Sequence, residues 1–264
     1  MLRSDEIFYN KVKWLLKEGK RVAGAWLQAG SPATAEIFGK ARFDFVIVDM
    51  EHGPGDVMTL LGQMHALSKF DVAPLVRVPW NDFVIIKRVL DTGAYGVLIP
   101  YVNTAEEAAM AVKACKYPLE GIRGLAPSPR AGGYGMNGLN YLENANEQTM
   151  VMIAAETYDA VANIEHIAAI PGLDGIFIGP MDLATSMGYF CNPGDPAVQQ
   201  AIVKIEETAK RAGKFLGTVA ASFEQAEILY DKGYSLVVII SDTTSLARLA
   251  LETVRKFHNA YPDR

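Results

Sequence analysis

The chain has 264 residues, of which 50% are hydrophobic and 21% charged, with a formal net charge of -5, which is typical of a globular protein with a substantial core. The acidic balance argues against a general nucleic-acid binder, which would need a basic face, and no apolar run approaches the ~18 residues of a membrane span. Two distant cysteines, Cys115 and Cys191, build no disulfide framework, and the first residues lack a signal-peptide core, so we expect a cytoplasmic protein.

Short apolar runs alternate with amphipathic segments along the whole sequence, as expected when strands alternate with helices. The predicted strands are residues 21–27, 43–48, 73–78, 95–99, 150–155, 175–178, 215–219 and 236–240. The predicted helices are residues 5–18, 32–40, 55–67, 82–90, 104–114, 158–168, 196–212, 223–231 and 244–258, with a short helix beginning at Pro180. A Gly- and Pro-rich stretch, residues 117–140, interrupts this alternation, and we interpret it as a functional loop.

The predicted strands are apolar throughout rather than alternating, which indicates a parallel sheet buried on both faces. About eight strand–helix units in ~250 residues are typical of a TIM-type (β/α)8 barrel, here preceded by an N-terminal helix. No linker is visible, so residues 1–264 are expected to form a single domain. A doubly wound sheet is the alternative, but the turn at residues 28–32 (QAGSP) lacks the glycine pattern of a dinucleotide site.

Polar side chains follow the predicted strands at the end where barrel enzymes place their active sites. Such side chains are costly to place beside a core without partners, so several on one rim favour a functional site. The residues at or just after these strand ends are Trp26, Asp49, Glu51, His52, Arg77, Pro100, Glu156 and Asp182.

Glu156 and Asp182 follow successive strands and form the best candidate metal pair. Hard cations such as Mg²⁺ bind carboxylate oxygens and leave positions for water or for a bidentate ligand such as a 2-oxo acid. The alternative is that each carboxylate lies in the first turn of a helix and only stabilises the helix dipole.

Three further residues have both a catalytic and a structural interpretation. His52 follows two acids and suits acid–base chemistry, although a loop histidine bonded to a backbone carbonyl is an equal alternative. Arg77 suits stabilisation of a developing oxyanion, or a structural ion pair with Asp49 or Glu51. Asp91 precedes a Thr-Gly pair and suits either a cap or the orientation of a histidine.

Six stretches together make the chain resemble the HpcH/HpaI aldolase family, the metal-dependent (class II) pyruvate aldolases. They are FDFVIVDMEHGP (43–54), LVRVPWND (75–82), IKRVLDTGAYGVLIPYVNTAEEA (86–108), YPLEGIRG (117–124), AAETYDAVANIEHI (154–167) and DGIFIGPMDLATSMG (174–188). The resemblance implies a modified (β/α)8 barrel whose last helix packs on a neighbouring subunit, in a homohexamer built from dimers.

The resemblance also implies the roles of individual residues. It assigns a divalent cation (Mg²⁺, Mn²⁺ or Co²⁺) to Glu156 and Asp182, and an acid–base role to His52 paired with Asp91. It assigns to Arg77 the contact with the pyruvyl oxygen. The remaining implied substrate contacts are the backbone amides of Met181 and Asp182, which receive the pyruvate carboxylate, and Trp26, which lines the pocket.

The implied reaction is reversible cleavage of a 4-hydroxy-2-oxo acid to pyruvate and an aldehyde through an enolate. Macrophomate synthase-like decarboxylation of oxaloacetate with bond formation, and CoA-ester lyase chemistry, use the same enolate and remain alternatives. Outside the enzymes, the alternative is a non-catalytic barrel that binds a small acid. One departure from the family concerns Ala154, where a glutamine is usual, and the loop at residues 126–137 is also poorly matched.

Overall fold

The computed structural model describes residues 8–136 and 138–263. Eight strands in this part of the chain pair in parallel and in sequence order, and β8 pairs with β1 to close the barrel. They are β1 (Val22–Leu27), β2 (Phe45–Asp49), β3 (Ala73–Arg77), β4 (Gly96–Ile99), β5 (Met150–Ala155), β6 (Gly175–Ile178), β7 (Phe215–Val219) and β8 (Leu236–Ser241). The predicted (β/α)8 barrel is therefore confirmed.

Helices surround this barrel and follow nearly every strand. Among the described residues they are α1 (Lys11–Lys17), α2 (Pro32–Lys40), α3 (Val57–Leu67), α4 (Phe83–Asp91), α5 (Ala105–Cys115), α6 (Gly138–Gln148), α7 (Tyr158–Ala168), α8 (Pro180–Ser186), α9 (Pro196–Arg211), α10 (Phe223–Asp231) and α11 (Asp242–Ala260). Across residues 8–136 and 138–263, no helix combines the length and the apolar character needed to cross a membrane.

Large apolar side chains fill the inside of the barrel, and α1 packs against one end of this filling. Val12 and Leu16 of α1 join the same buried cluster as Phe45, Met150 and Leu236, the first or nearly the first residues of their strands. α1 therefore covers the N-terminal end of the barrel. The C-terminal rim of the barrel lies at the opposite end and is not covered by α1.

Polar contacts hold α1 in this position. The side-chain amide of Asn10, the N-cap of α1, donates to the carbonyls of Tyr95 and Gln148 at 2.9 and 3.1 Å. The ammonium of Lys13 is buried and donates to the Thr149 carbonyl at 2.9 Å and forms a 2.9 Å ion pair with Asp174. The predicted N-terminal helix is thus present as Lys11–Lys17, and residues 5–7 of that prediction lie outside the described residues.

The stretch predicted as a continuous loop, residues 117–140, is more ordered than its composition indicated. It contains a 3-10 segment at Arg130–Gly135, and α6 begins at Gly138. α6 is packed through Tyr141 and Ala145, which are buried with Tyr117. The Tyr141 hydroxyl accepts a 3.0 Å hydrogen bond from buried Arg123, so tertiary packing stabilises a polar helix that periodicity did not predict.

Candidate active site

Strand register places the polar residues of neighbouring strands side by side at the C-terminal rim. On β2 and β3, Asp49 is the register partner of Arg77. On β5 and β6, Ala155 pairs with Ile178, so the next residues, Glu156 and Gly179, leave the barrel at the same level. Two groups of charged side chains are built on this register.

Arg77 lies at the centre of the first group. Its Nε donates to Asp49 Oδ1 at 2.9 Å and its Nη2 to Asp49 Oδ2 at 2.6 Å, a bidentate pair. Its Nη1 lies 2.9 Å from Glu51 Oε2. The side chain is 11% exposed and still lines the cavity described below, so both sequence interpretations of Arg77 are compatible with the structure.

Asp49 is fully buried and supports this arrangement. Its carboxylate also accepts from the Trp26 indole at 3.1 Å and from the backbone N–H of Glu51 at 3.0 Å. Burial raises the pKa of Asp49, but the hydrogen bonds and charge of Arg77 outweigh it and keep that pKa below its usual value. The Trp26 ring lies under the guanidinium, 4.6 Å from ring centroid to Arg77 Cζ.

Glu156 and Asp182 form the second group around Gly179. A Cβ atom placed on Gly179 would lie 2.9 Å from Glu156 Oε2 and 3.7 Å from Asp182 Oδ2. A side chain on residue 179 would therefore crowd the space beside the two carboxylates, which glycine leaves open. The other oxygen, Glu156 Oε1, accepts a 2.9 Å hydrogen bond from the Tyr101 backbone N–H, which fixes the side chain.

No described lysine or arginine forms an ion pair with Glu156 or Asp182, and the charge of Arg77 has the smallest of the effects on the pKa of Glu156. Burial, together with the negative charges of Glu51 and Asp182, raises the pKa of Glu156 to about 7. The hydrogen bond from the Tyr101 N–H lowers this pKa but does not outweigh the burial. Burial likewise raises the pKa of Glu51, whose buried Oε2 receives no hydrogen bond of good geometry from any described residue. Oxygen donors around an open space, with unneutralised charge, fit a hard divalent cation.

A cavity of about 630 Å³ opens over both groups. Its lining includes Trp26, His52, Arg77, Ala154, Glu156, Gly179, Met181 and Asp182. The His52 side chain is 60% exposed, and its Nε2 lies 4.0 Å from Glu51 Oε2, so the ring is available to a bound molecule. A second cavity of about 640 Å³ is lined by Tyr95, Arg130 and Tyr141 and contains none of the predicted site residues.

The start of α8 offers backbone donors to this cavity. The first helical hydrogen bond runs from the Leu183 N–H to the Gly179 carbonyl at 3.0 Å. The N–H groups of Met181 and Asp182 precede it and have no partner among the described residues, and Pro180 has no N–H. They suit an anionic group at the site.

Asp91 does not join these residues within the chain. It ends α4, a helix that begins near the C-terminal rim after β3 and returns to the N-terminal end, where β4 begins. Its carboxylate forms a 2.8 Å ion pair with Arg123. Asp91 and His52 therefore lie at opposite ends of the barrel. Within one subunit the structure does not form the Asp91–His52 pair that the resemblance implies.

Sequence reasoning missed part of the cavity lining. Gly179 contributes to the cavity lining by having no side chain beside Glu156 and Asp182. A search for metal-ligand motifs does not find a glycine. Thr244, Ser245 and Arg248, in the first turns of α11, also line the cavity. The polar run after β8, residues 241–245 (SDTTS), was the available signal, since it follows a strand end like the other site residues.

Comparisons with known proteins agree with this fold. A "5-keto-4-deoxy-D-glucarate aldolase" from Salmonella arizonae is 43% identical over 239 residues, covering 90% of this chain and 93% of that protein. The crystal structure of an "HpcH/Hpal aldolase/citrate lyase family protein" from Burkholderia cenocepacia superposes with a TM-score of 0.90 at 33% identity, covering 94% of this chain and 99% of the other. Macrophomate synthase superposes with a TM-score of 0.86 at 25% identity, covering 95% and 89%.

The family model "HpcH/HpaI aldolase/citrate lyase" matches residues 22–248, from the first strand of the barrel into its last helix. This match includes both groups of charged residues at the C-terminal rim. The predicted family is thereby confirmed, and the chain belongs to the HpcH/HpaI aldolase/citrate lyase family.

Proposed function

We propose that this carbon–carbon lyase is a metal-dependent aldolase that reversibly cleaves a 4-hydroxy-2-oxo acid to pyruvate and an aldehyde. The observation that carries the proposal is the open space at Gly179 between the Glu156 and Asp182 carboxylates, facing a cavity shared with Arg77 and His52. The 43% identical Salmonella relative is named for an acid of this class, because 5-keto-4-deoxy-D-glucarate is a 4-hydroxy-2-oxo acid when numbered from its keto-acid end.

Glu156 and Asp182 would hold the divalent cation, for which Mg²⁺, Mn²⁺ and Co²⁺ are the candidates. When bound, the cation supplies Lewis-acid polarisation of the 2-oxo group, an effect that contributes several kcal/mol in such enzymes. In the described part of the chain no group of three or more His, Cys, Asp or Glu side chains is arranged as a metal site. Two protein carboxylates would therefore leave the other positions to water and substrate.

Protein groups would carry out the proton transfer and orient the substrate. His52, exposed to the cavity, would remove the proton of the 4-hydroxyl. The C3–C4 electron pair then passes to the 2-oxo oxygen, C4 becomes the aldehyde carbon, and a proton added at C3 gives pyruvate. Arg77 would stabilise the negative oxygen, and it is held for this role by Asp49 and Glu51.

The substrate carboxylate would bind at the start of α8. The free N–H groups of Met181 and Asp182 supply two donors, and the positive end of the helix dipole adds to their effect. Trp26 would form the wall beside this position, since its ring stacks under Arg77 and its indole N–H is already bonded to Asp49.

Gly179→Ala is expected to weaken Mn²⁺ binding about tenfold or more without removing a ligand, because the added Cβ would lie 2.9 Å from Glu156 Oε2. The φ of -96° at residue 179 suits alanine, so the melting temperature should change little. Gly194→Ala is the matched control, since its Cβ would meet nothing closer than 3.7 Å. Unchanged Mn²⁺ affinity in Gly179→Ala, measured by electron paramagnetic resonance, would contradict the proposed metal position.

A substrate screen tests the function as a whole. A set of 4-hydroxy-2-oxo acids would be incubated with protein carrying Mg²⁺, Mn²⁺ or Co²⁺, and pyruvate release would be measured. We expect cleavage that EDTA abolishes and added metal restores. Oxaloacetate decarboxylation faster than any aldol cleavage would favour the macrophomate synthase-like alternative, and metal-dependent pyruvate binding without turnover would favour a binding protein.

We also propose that the protein is a homo-oligomer, a hexamer or trimer of dimers, joined through α11. This helix has 19 residues, and of these only Asp242 is buried. Leu246, Leu249 and Phe257 are 67%, 61% and 48% exposed, an apolar surface that favours a partner. Analytical ultracentrifugation measures the assembly directly.

A further inference from the structure

The residue that fixes Glu156 has an unusual backbone conformation. The Tyr101 N–H donates to Glu156 Oε1 at 2.9 Å, and Tyr101 has a φ of 53°, in the left-handed region. Residues other than glycine rarely adopt this region, because their Cβ atom crowds the backbone. Strain of this kind persists only where the surrounding structure imposes it, and it is concentrated at functional sites.

Contacts after Tyr101 hold the chain in this conformation. Val102 is fully buried, so its position is set by the core. Asn103 is bonded to the connection between β5 and α7, since its Oδ1 accepts from the Thr157 hydroxyl and its carbonyl accepts from the Asn163 side chain at 2.9 Å. The strand β4 sets the direction of the Tyr101 N–H, and the left-handed turn then returns the chain to these two anchors.

The side chain of Tyr101 does not account for this conformation. It is 43% exposed, and its ring stacks on Trp80, with 5.9 Å between the ring centroids and 30° between the ring planes. Neither ring is among the residues that line the active-site cavity. The contribution of residue 101 to the site therefore comes from its backbone.

We propose that Tyr101 is a positioning residue for metal binding, because its left-handed backbone keeps an N–H bonded to Glu156 Oε1 and leaves Oε2 beside the open space at Gly179. This inference rests on the proposed metal-dependent function. A residue that avoids a positive φ can keep the bond to Glu156 or the contacts of Val102 and Asn103, but not both. Either loss would release the connection that carries Glu156.

Tyr101→Gly and Tyr101→Val separate the backbone from the side chain. Both remove the ring, but glycine adopts a positive φ readily, whereas a β-branched residue avoids it. We expect Tyr101→Val to lower the affinity for Mn²⁺ by about tenfold or more, measured by electron paramagnetic resonance, since bonds that orient metal ligands have effects of this size. Tyr101→Gly should stay within about threefold of the native affinity, because it keeps both the N–H and the conformation.

Tyr101→Ala provides a second measurement that does not depend on the folding of Tyr101→Val. Alanine is not β-branched and is less restricted than valine, so its Mn²⁺ affinity should fall between those of the glycine and valine variants. Tyr101→Phe keeps the stacked ring and the backbone and should bind Mn²⁺ as the native protein does.

Arg42→Gly and Arg42→Val are the matched controls. Arg42 also has a positive φ, 65°, but it is exposed and precedes β2, at the end of the barrel opposite the cavity. This pair makes the same change of backbone preference away from the site. It should alter the melting temperature and leave the Mn²⁺ affinity unchanged.

Native Mn²⁺ affinity in both Tyr101→Val and Tyr101→Ala would overturn the inference. An equal loss in Tyr101→Gly and Tyr101→Val would also overturn it, since the effect would then belong to the ring. Absence of Mn²⁺ binding by the native protein would instead contradict the proposed metal site itself.

Discussion

Replacing Asp182 with asparagine is expected to lower kcat/KM for cleavage of a 4-hydroxy-2-oxo acid by about a thousandfold or more. The change removes one of two carboxylates proposed to hold the cation, and Lewis-acid stabilisation worth several kcal/mol corresponds to a factor of that size. Asparagine has the same shape, so the fold should be kept. The measurements are steady-state kinetics and Mn²⁺ binding on the same preparation.

Asp159→Asn is the matched control for this variant. Asp159 lies in the first turn of α7, just as Asp182 lies in the first turn of α8, and its side chain is exposed. A helix-dipole role would give both variants a similar small loss of stability, about 0.3–1 kcal/mol, with full activity. Wild-type turnover in Asp182→Asn would thus rule out the metal-ligand role.

Arg77→Lys is expected to lower kcat by about a hundredfold or more while the protein remains folded. The lysine keeps a positive charge beside Asp49 and Glu51, but it cannot reproduce three directed contacts from one planar group. Loss of one positioned donor to a developing oxyanion has effects of this size in other enzymes. Pyruvate methyl-proton exchange should fall in parallel, because it forms the same enolate.

The lysine variant is preferable to alanine for this question. Removing the charge would leave two buried carboxylates unpaired, at a cost of about 3–5 kcal/mol, and unfolding would then obscure catalysis. Arg211→Lys, at an exposed arginine 3.3 Å from Glu165, controls for the substitution itself. If Arg77→Lys kept native kcat with a lowered melting temperature, Arg77 would be a structural ion-pair residue only.

The barrel was predictable because its strands are short, apolar and regularly spaced. Each predicted strand is present, three of them with the predicted bounds and the others within two residues at either end, as for residues 43–48 against Phe45–Asp49. α6 was missed because its sequence, GLNYLENANEQ, has little helical periodicity and depends on the burial of Tyr141 and Ala145. Local patterns cannot show contacts made by tertiary packing.

The sequence indicated which residues line the candidate site, but not the distances and contacts between them. Strand ends correctly grouped Arg77, Glu156 and Asp182 around one cavity, because parallel strands of a barrel end at one rim. Asp91 lies on a helix instead, and its position at the other end of the barrel followed only from the coordinates. The roles of these residues stay predictions until the variants are measured.

The packing of α1 against the barrel interior also has a kinetic consequence. With the N-terminal end covered by Val12 and Leu16, the catalytic cavity communicates with solvent at the C-terminal rim in the part of the chain that the structure describes. Both products of a cleavage must then leave by the same route, the outer one first. Release would be ordered, aldehyde before pyruvate, so pyruvate should inhibit competitively against the substrate and the aldehyde non-competitively.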